Sequence, residues 1–105
     1  MVDNPNEQRF ELRVDGAVAG FAAYQAGDRA HLFTHTEIDP AYEGKGLGSV
    51  LVRGALDEVR GRGRGVLPAC PFVRRFVERH PDYLDLVPAA ERDRFGLPPA
   101  SPGVP

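Results

Sequence analysis

Sulfur is almost absent from this 105-residue chain, which holds one cysteine, Cys70, one methionine and no tryptophan. A lone cysteine forms no intrachain disulfide, so the expected setting is a reducing, cytoplasmic one. A strong charge of either sign is also missing. The formal net charge is −2, and no overall positive field directs the chain to nucleic acid or an anionic membrane. No apolar run approaches the roughly 20 residues that span a bilayer. The N-terminal MVDNPNEQRF is too polar to read as a signal peptide. His31, His35 and His80 are scattered, and no Cys/His cluster has metal-ligand spacing, so no metal is expected.

The chain that remains is ordinary in composition, with 42% hydrophobic residues, and its length suits one domain around one modest core. Residues 1–8 read as a flexible, polar N-terminus. Phe10, Leu12 and Val14 then alternate with Arg9, Glu11 and Arg13, the period of a half-buried strand. Asp15-Gly16 is a tight-turn pair, and Ala17–Tyr24 continues as the second strand of a hairpin. A third strand is expected over Arg29–Ile38. Strict alternation would place Leu32, Thr34, Thr36 and Ile38 on one face and His31, Phe33, His35 and Glu37 on the other.

A Pro- and Gly-rich connection, DPAYEGKGLG, follows. Helical spacing takes over at Leu47 and continues through Leu51, Ala55 and Val59, with Gly61 a suitable stop. Val66–Cys70 reads as a short strand. Pro71 fits the first turn of a second helix, whose one apolar face is Phe72, Val73, Phe76, Val77 and His80 and which Pro81 ends. Tyr83–Val87 alternates again as a short last strand. Five prolines between 88 and 105 suggest a loosely ordered tail. The fold class is therefore α+β, or mixed α/β. An antiparallel hairpin leads into a βαβ unit with parallel strands, and helices pack on a curved mixed sheet.

Glu43-Gly44-Lys45-Gly46-Leu47-Gly48 lies between a strand and a helix. Amides entering a helix are free donors and the dipole adds partial positive charge, so a glycine turn here suits a phosphate or pyrophosphate. It is neither a Walker A loop nor a Rossmann GxGxxG. A turn that only requires positive φ angles is the alternative. Topology adds a second point. In a parallel βαβ unit, ligands gather outside the carboxyl ends of the strands, which places this loop and Cys70 at one sheet edge.

The strand LFTHTEID with Pro40 and YEGKGLGSVLV resembles motif A of the GCN5-related N-acetyltransferases. Gly46 and Gly48 match the glycines of that family's Q/R-x-x-G-x-G/A signature, and Glu43 stands where it has Gln or Arg. A carboxylate near a pyrophosphate is tolerated when it points to solvent. Four ordered motifs resemble the short YjdJ-like, N-acetyltransferase domain-containing branch over about residues 9–87. They are His35-Thr36-Glu37-Ile38, Gly44–Gly48, Pro68-Ala69-Cys70-Pro71-Phe72 and His80-Pro81-Asp82-Tyr83-Leu84-Asp85-Leu86.

The resemblance implies an N-acetyltransferase that takes acetyl-CoA as cosubstrate. Pantetheine would lie along the strand near Ile38 and pyrophosphate on Gly44, Lys45, Gly46, Leu47, Gly48 and Ser49. It also implies Cys70 and His35 as catalytic candidates. His35 would act as base toward the thiol or an acceptor amine, with Glu37 an alternative base through water. Cys70 itself lies near a helix start, where dipole and free amides favour an anionic sulfur. It either accepts the acetyl group transiently, lines the transfer site, or is a buried filler.

The acceptor would be an amine of a protein, peptide or small molecule, and the chain a monomer or weak dimer. The competing class is a non-catalytic acetyl-CoA-binding module. RGRGRG at 60–65 resembles RNA-binding Arg-Gly segments. Its place between helix and strand favours a solvated loop near the cofactor's 3′-phosphate, and nucleic acid is not the expected partner.

Overall fold

Asp15 and Gly16 both take positive φ, 51° and 82°, the geometry of the two-residue hairpin turn that Asp-Gly favours. This turn joins β2 (Arg9–Val14) to β3 (Ala17–Ala26), with Val14 opposite Ala17. In this computed structural model residues 1–98 are described. β4 (Ala30–Ile38) returns antiparallel to β3, and the crossover helix α1 (Leu47–Gly61) leads to β5 (Gly65–Pro68), parallel to β4. Helix α2 (Pro71–Arg79) follows. The expected mixed α/β architecture, a hairpin followed by a βαβ unit, is present.

The N-terminal residues do more than fray. Val2–Asn4 forms β1, antiparallel to β2, so the sheet has five strands in sequence order. Tyr24 donates to Asp3 at 2.6 Å; burial first, and then the hydrogen bond to the Asp3 carboxylate and its charge, push the phenol up to about 12. α1 buries Leu51, Val52, Ala55, Leu56 and Val59 against Phe10, Ala22, Phe33 and Val66 of the sheet, and α2 adds Val73, Phe76 and Val77.

Three further expectations change. Tyr83–Val87 is not a strand: Pro81–Leu86 is a 3₁₀ helix. Its buried residues Tyr83, Leu86 and Val87 recur at three and four, a helical spacing that alternation conceals over so short a stretch. Within the expected tail, Ala89–Arg92 (α3) and Asp93–Phe95 form helical turns, and Phe95 and Leu97 enter the core. Residues 99–105 of that tail lie outside the described residues.

The Arg-Gly stretch is exposed over residues 60–63, but its arginines are not free: all three are engaged by the fold. Arg60 pairs with Asp85 at 2.7 Å, Arg62 with Asp3 at 2.9 Å and Glu58 at 3.0 Å. Arg64 donates to His31 Nδ1 and to the carbonyls of Gly27, Asp28 and Ala30. His31 is buried, and desolvation followed by the charges of Arg64 and Arg62 holds it below its ordinary pKa, which keeps Nδ1 an acceptor.

Candidate functional site

β4 carries one residue more than β3 allows. Ala23 faces His35 while Tyr24 faces Phe33, which leaves Thr34 as a bulge. The bulge reverses the side-chain alternation, so the expected single face of His31, Phe33, His35 and Glu37 is split. His31 and Phe33 are buried on the helix side. Beyond the bulge Thr36 and Ile38 take that side, opposite Ala22 and Gly20, while His35 and Glu37 turn to the other. Leu32 likewise parts from Thr36 and Ile38.

β4 and β5 then separate. Their ladder covers Ala30–Phe33 against Gly65–Pro68, and from Thr34 to Ile38 the β4 edge on this side has no strand among the described residues. β5 ends at Pro68, two residues before the expected end at Cys70. Cys70 N donates to Phe33 O at 2.7 Å, and Cys70 becomes the N-cap of α2 with Pro71 in its first turn. The thiol is 3% exposed, its sulfur 3.3 Å from Thr36 Oγ1.

At the carboxyl end of β4, Asp39 caps a 3₁₀ turn at Pro40–Tyr42 by accepting from Ala41 N at 2.9 Å. Gly44 and Gly46 follow with φ of 81° and 70°, conformations that side chains disfavour. Gly46 is the N-cap of α1, and neither a capping side chain nor a first-turn acid meets the helix amides. They remain free donors at the positive end of the dipole. Gly48 has another reason to be glycine, since a Cβ would stand 2.6 Å from Phe72 Cζ where the first turns of α1 and α2 touch.

These elements frame a groove of about 230 Å³ lined by Ile38, Gly44, Gly46, Leu47, Gly48 and Ser49, with Tyr42, Glu43 and Phe72. Lys45 stands apart, its Nζ 5.8 Å from the centre of the Tyr42 ring. Glu43 is exposed.

Of the expected catalytic residues, His35 and Glu37 come together, Nε2 to Oε2 at 3.0 Å, with 59% and 60% side-chain exposure. Cys70 does not join them. Its partner is Thr36, whose side chain lies on the opposite sheet face from its neighbours His35 and Glu37. Sequence reasoning passed over Thr36 because a bulge leaves no mark in a hydrophobic pattern. Among the described residues no group of three or more His, Cys, Asp or Glu could hold a metal, and no helix is long and apolar enough to cross a membrane.

Fold and site together define a class: a mixed α/β domain in which a glycine-started helix and an open strand edge meet at one groove, a cradle that fits a phosphate-linked chain. Residues 9–86 match the family described as GCN5-related N-acetyl-transferase. The chain belongs to that family. It is 46% identical over 55 residues to streptothricin acetyltransferase of Streptomyces lavendulae, which covers 50% of this chain and 29% of that one.

Two solved structures are similar. The ribosomal-protein-S18-alanine N-acetyltransferase of Escherichia coli superposes with a TM-score of 0.51 at 28% identity, over 57% of this chain and 41% of that one. The ribosomal-protein-alanine N-acetyltransferase of Brucella melitensis biovar Abortus 2308 gives 0.51 at 26%, over 67% and 57%. The chain thus spans less than two thirds of these relatives.

Proposed function

We propose that this chain transfers the acetyl group of acetyl-CoA to an amine of a protein, peptide or small molecule. The observation that carries the reading is the convergence, at one end of β4, of free α1 amides, an unpaired strand edge and Cys70. The amides of Gly46–Ser49 would hold pyrophosphate, and the β4 edge near Ile38 would pair with the amides of pantetheine. The thioester would then stand where β4 and β5 part, close to Thr36 and Cys70.

The amine approaches from the exposed sheet face that holds His35 and Glu37. Its lone pair forms the C–N bond, the C–S bond breaks, and CoA leaves as its thiolate. The proton lost by nitrogen passes to His35, which Glu37 orients. The acceptor range draws on relatives whose names include both an antibiotic and a protein alanine.

Calorimetry with acetyl-CoA tests the first half of this reading, and no binding at millimolar ligand would overturn it. Acetyl transfer to a panel of alanine-starting peptides and small polyamines, read by mass spectrometry, tests the second. His35→Gln should lower kcat/KM by about 100-fold while acetyl-CoA affinity stays within about twofold. Acetyl found on Cys70 after mixing with acetyl-CoA alone would assign the thiol a covalent role; undiminished transfer by Cys70→Ala would exclude one. Binding without transfer to any amine would favour a carrier-binding module.

A further inference from the structure

His31 is a titratable side chain that acetyl transfer leaves unused, and the fold closes over it. It is 3% exposed at the start of β4, between Ala26 of β3 and Val66 of β5 in the sheet. Aromatic rings wall it in: Tyr24 of β3 at 4.6 Å, Phe10 of β2 at 6.1 Å and Phe33 of β4 at 6.4 Å between centres. The charges that act on it come from two other places, Arg64 and Arg62 in the loop between α1 and β5, and Asp3 in β1.

The imidazole Nδ1 accepts from Arg64 Nε at 3.1 Å, so this contact is with a permanent cation. The same guanidinium donates to the carbonyls of Gly27, Asp28 and Ala30. Arg64 thus fastens the Arg-Gly loop onto the β3–β4 turn, and His31 supplies the side-chain acceptor in that fastening. A second proton on the ring would occupy Nδ1 and turn the acceptor into a donor aimed at a guanidinium. Asp3 is not free to take up the new charge, since it already accepts from Tyr24 at 2.6 Å and from Arg62 at 2.9 Å. A charged ring and Arg64 therefore exclude one another.

We infer that His31 is an acid-operated latch: neutral, it holds Arg64 and with it the Arg60–Arg64 loop on the β3–β4 turn, and protonated, it expels Arg64 and lets both segments open. Burial, followed by the charges of Arg64 and Arg62, lowers the pKa of the closed state from its ordinary 6.5. The open form takes the proton more readily, so the latch keeps its full strength above pH 6.5 and weakens as pH falls below it. The inference stands independently of the acetyl-CoA reading.

Hydrogen exchange and histidine ring titration of the full chain, followed by NMR from about pH 7.5 to 5, test it. The amides to watch are those of Gly27, Arg62, Arg64 and Gly65, each hydrogen-bonded in the closed state. Their protection, corrected for intrinsic exchange, should fall by up to about tenfold per pH unit below 6.5, while the amides of Leu51–Leu56 in α1 keep theirs. His31→Gln retains an acceptor for Arg64 but nothing that titrates, and should flatten this dependence. If that variant does not fold, Arg64→Gln serves instead: without the opposing cation, the His31 ring should titrate nearer 6.5 than in the wild type. A wild-type His31 ring that titrates at 6.5 or above, or protection at the four amides that ignores pH, would overturn the inference. An acid dependence that persists unchanged in His31→Gln would overturn it too, since its source would then lie in His35 or His80.

Discussion

Glu11 is 2% exposed yet charged, because three donors converge on it: Asn4 at 3.0 Å, Arg9 at 2.8 Å and Arg13 at 2.7 Å. The hydrogen bonds from Arg13, Arg9 and Asn4 outweigh the cost of burial and hold its carboxyl at about 2, against an ordinary 4.5. A carboxylate depressed in the folded state stabilises the fold above its ordinary value, and that contribution fades as pH falls from 4.5 toward 2. Glu11→Gln should therefore lower stability at pH 7 by about 1–3 kcal/mol. Its melting temperature should also fall less steeply than that of the wild type between pH 4.5 and 2, as scanning calorimetry would record. Residues in the sequence were legible where local chemistry sets them. Cys70 before Pro71 reads correctly as a helix start, and Gly46 as a left-handed turn. Its partner Thr36, 34 positions away, depends on tertiary placement that no local pattern encodes.

The decisive element is β4. Its alternating residues describe a strand correctly but not the bulge at Thr34, which arises only from the pairing of β4 with β3 and turns His35 and Glu37 away from the core. The hairpin was readable because Asp15-Gly16 specifies its own turn. The 3₁₀ helix at Pro81–Leu86 was not, since five residues satisfy either period. Close strand contact beyond the bulge rests on Gly20, where an added Cβ would lie 2.7 Å from Glu37 O and 2.5 Å from Ile38 Cδ1. A backbone carbonyl in a ladder cannot retreat as a side chain can. Gly20→Ala should cost about 1–3 kcal/mol, a fall of several degrees in melting temperature for a domain of this size. Gly48→Ala meets only the outer end of the exposed Phe72 ring, so the fold should tolerate it better, and paired thermal melts would separate the two cases.

At the scale of the molecule, the order of strands and helices from residue 9 to 80 followed from periodicity and turn chemistry. Both ends were underestimated, because polar or Pro-rich composition hides a few well-placed contacts. Arg92 donates to Val87 O at 3.0 Å and to Leu84 O at 2.8 Å, which anchors the segment carrying the buried Phe95 and Leu97. Ending the chain after Val87 should cost at least about 3 kcal/mol from these two side chains, measurable by urea denaturation. The Arg60–Arg64 loop ties these outlying parts together: Arg62 holds β1 through Asp3, Arg60 holds the 3₁₀ helix through Asp85, and Arg64 holds the β3–β4 turn. Opening one of these attachments frees a guanidinium whose backbone supports the others, so the first strand and the 81–86 turn should unfold as one cooperative unit although some 80 positions separate them. Hydrogen exchange should find their amides opening at a common rate, and Asp3→Asn should speed exchange at residues 81–86, where no contact with residue 3 exists among the described hydrogen bonds.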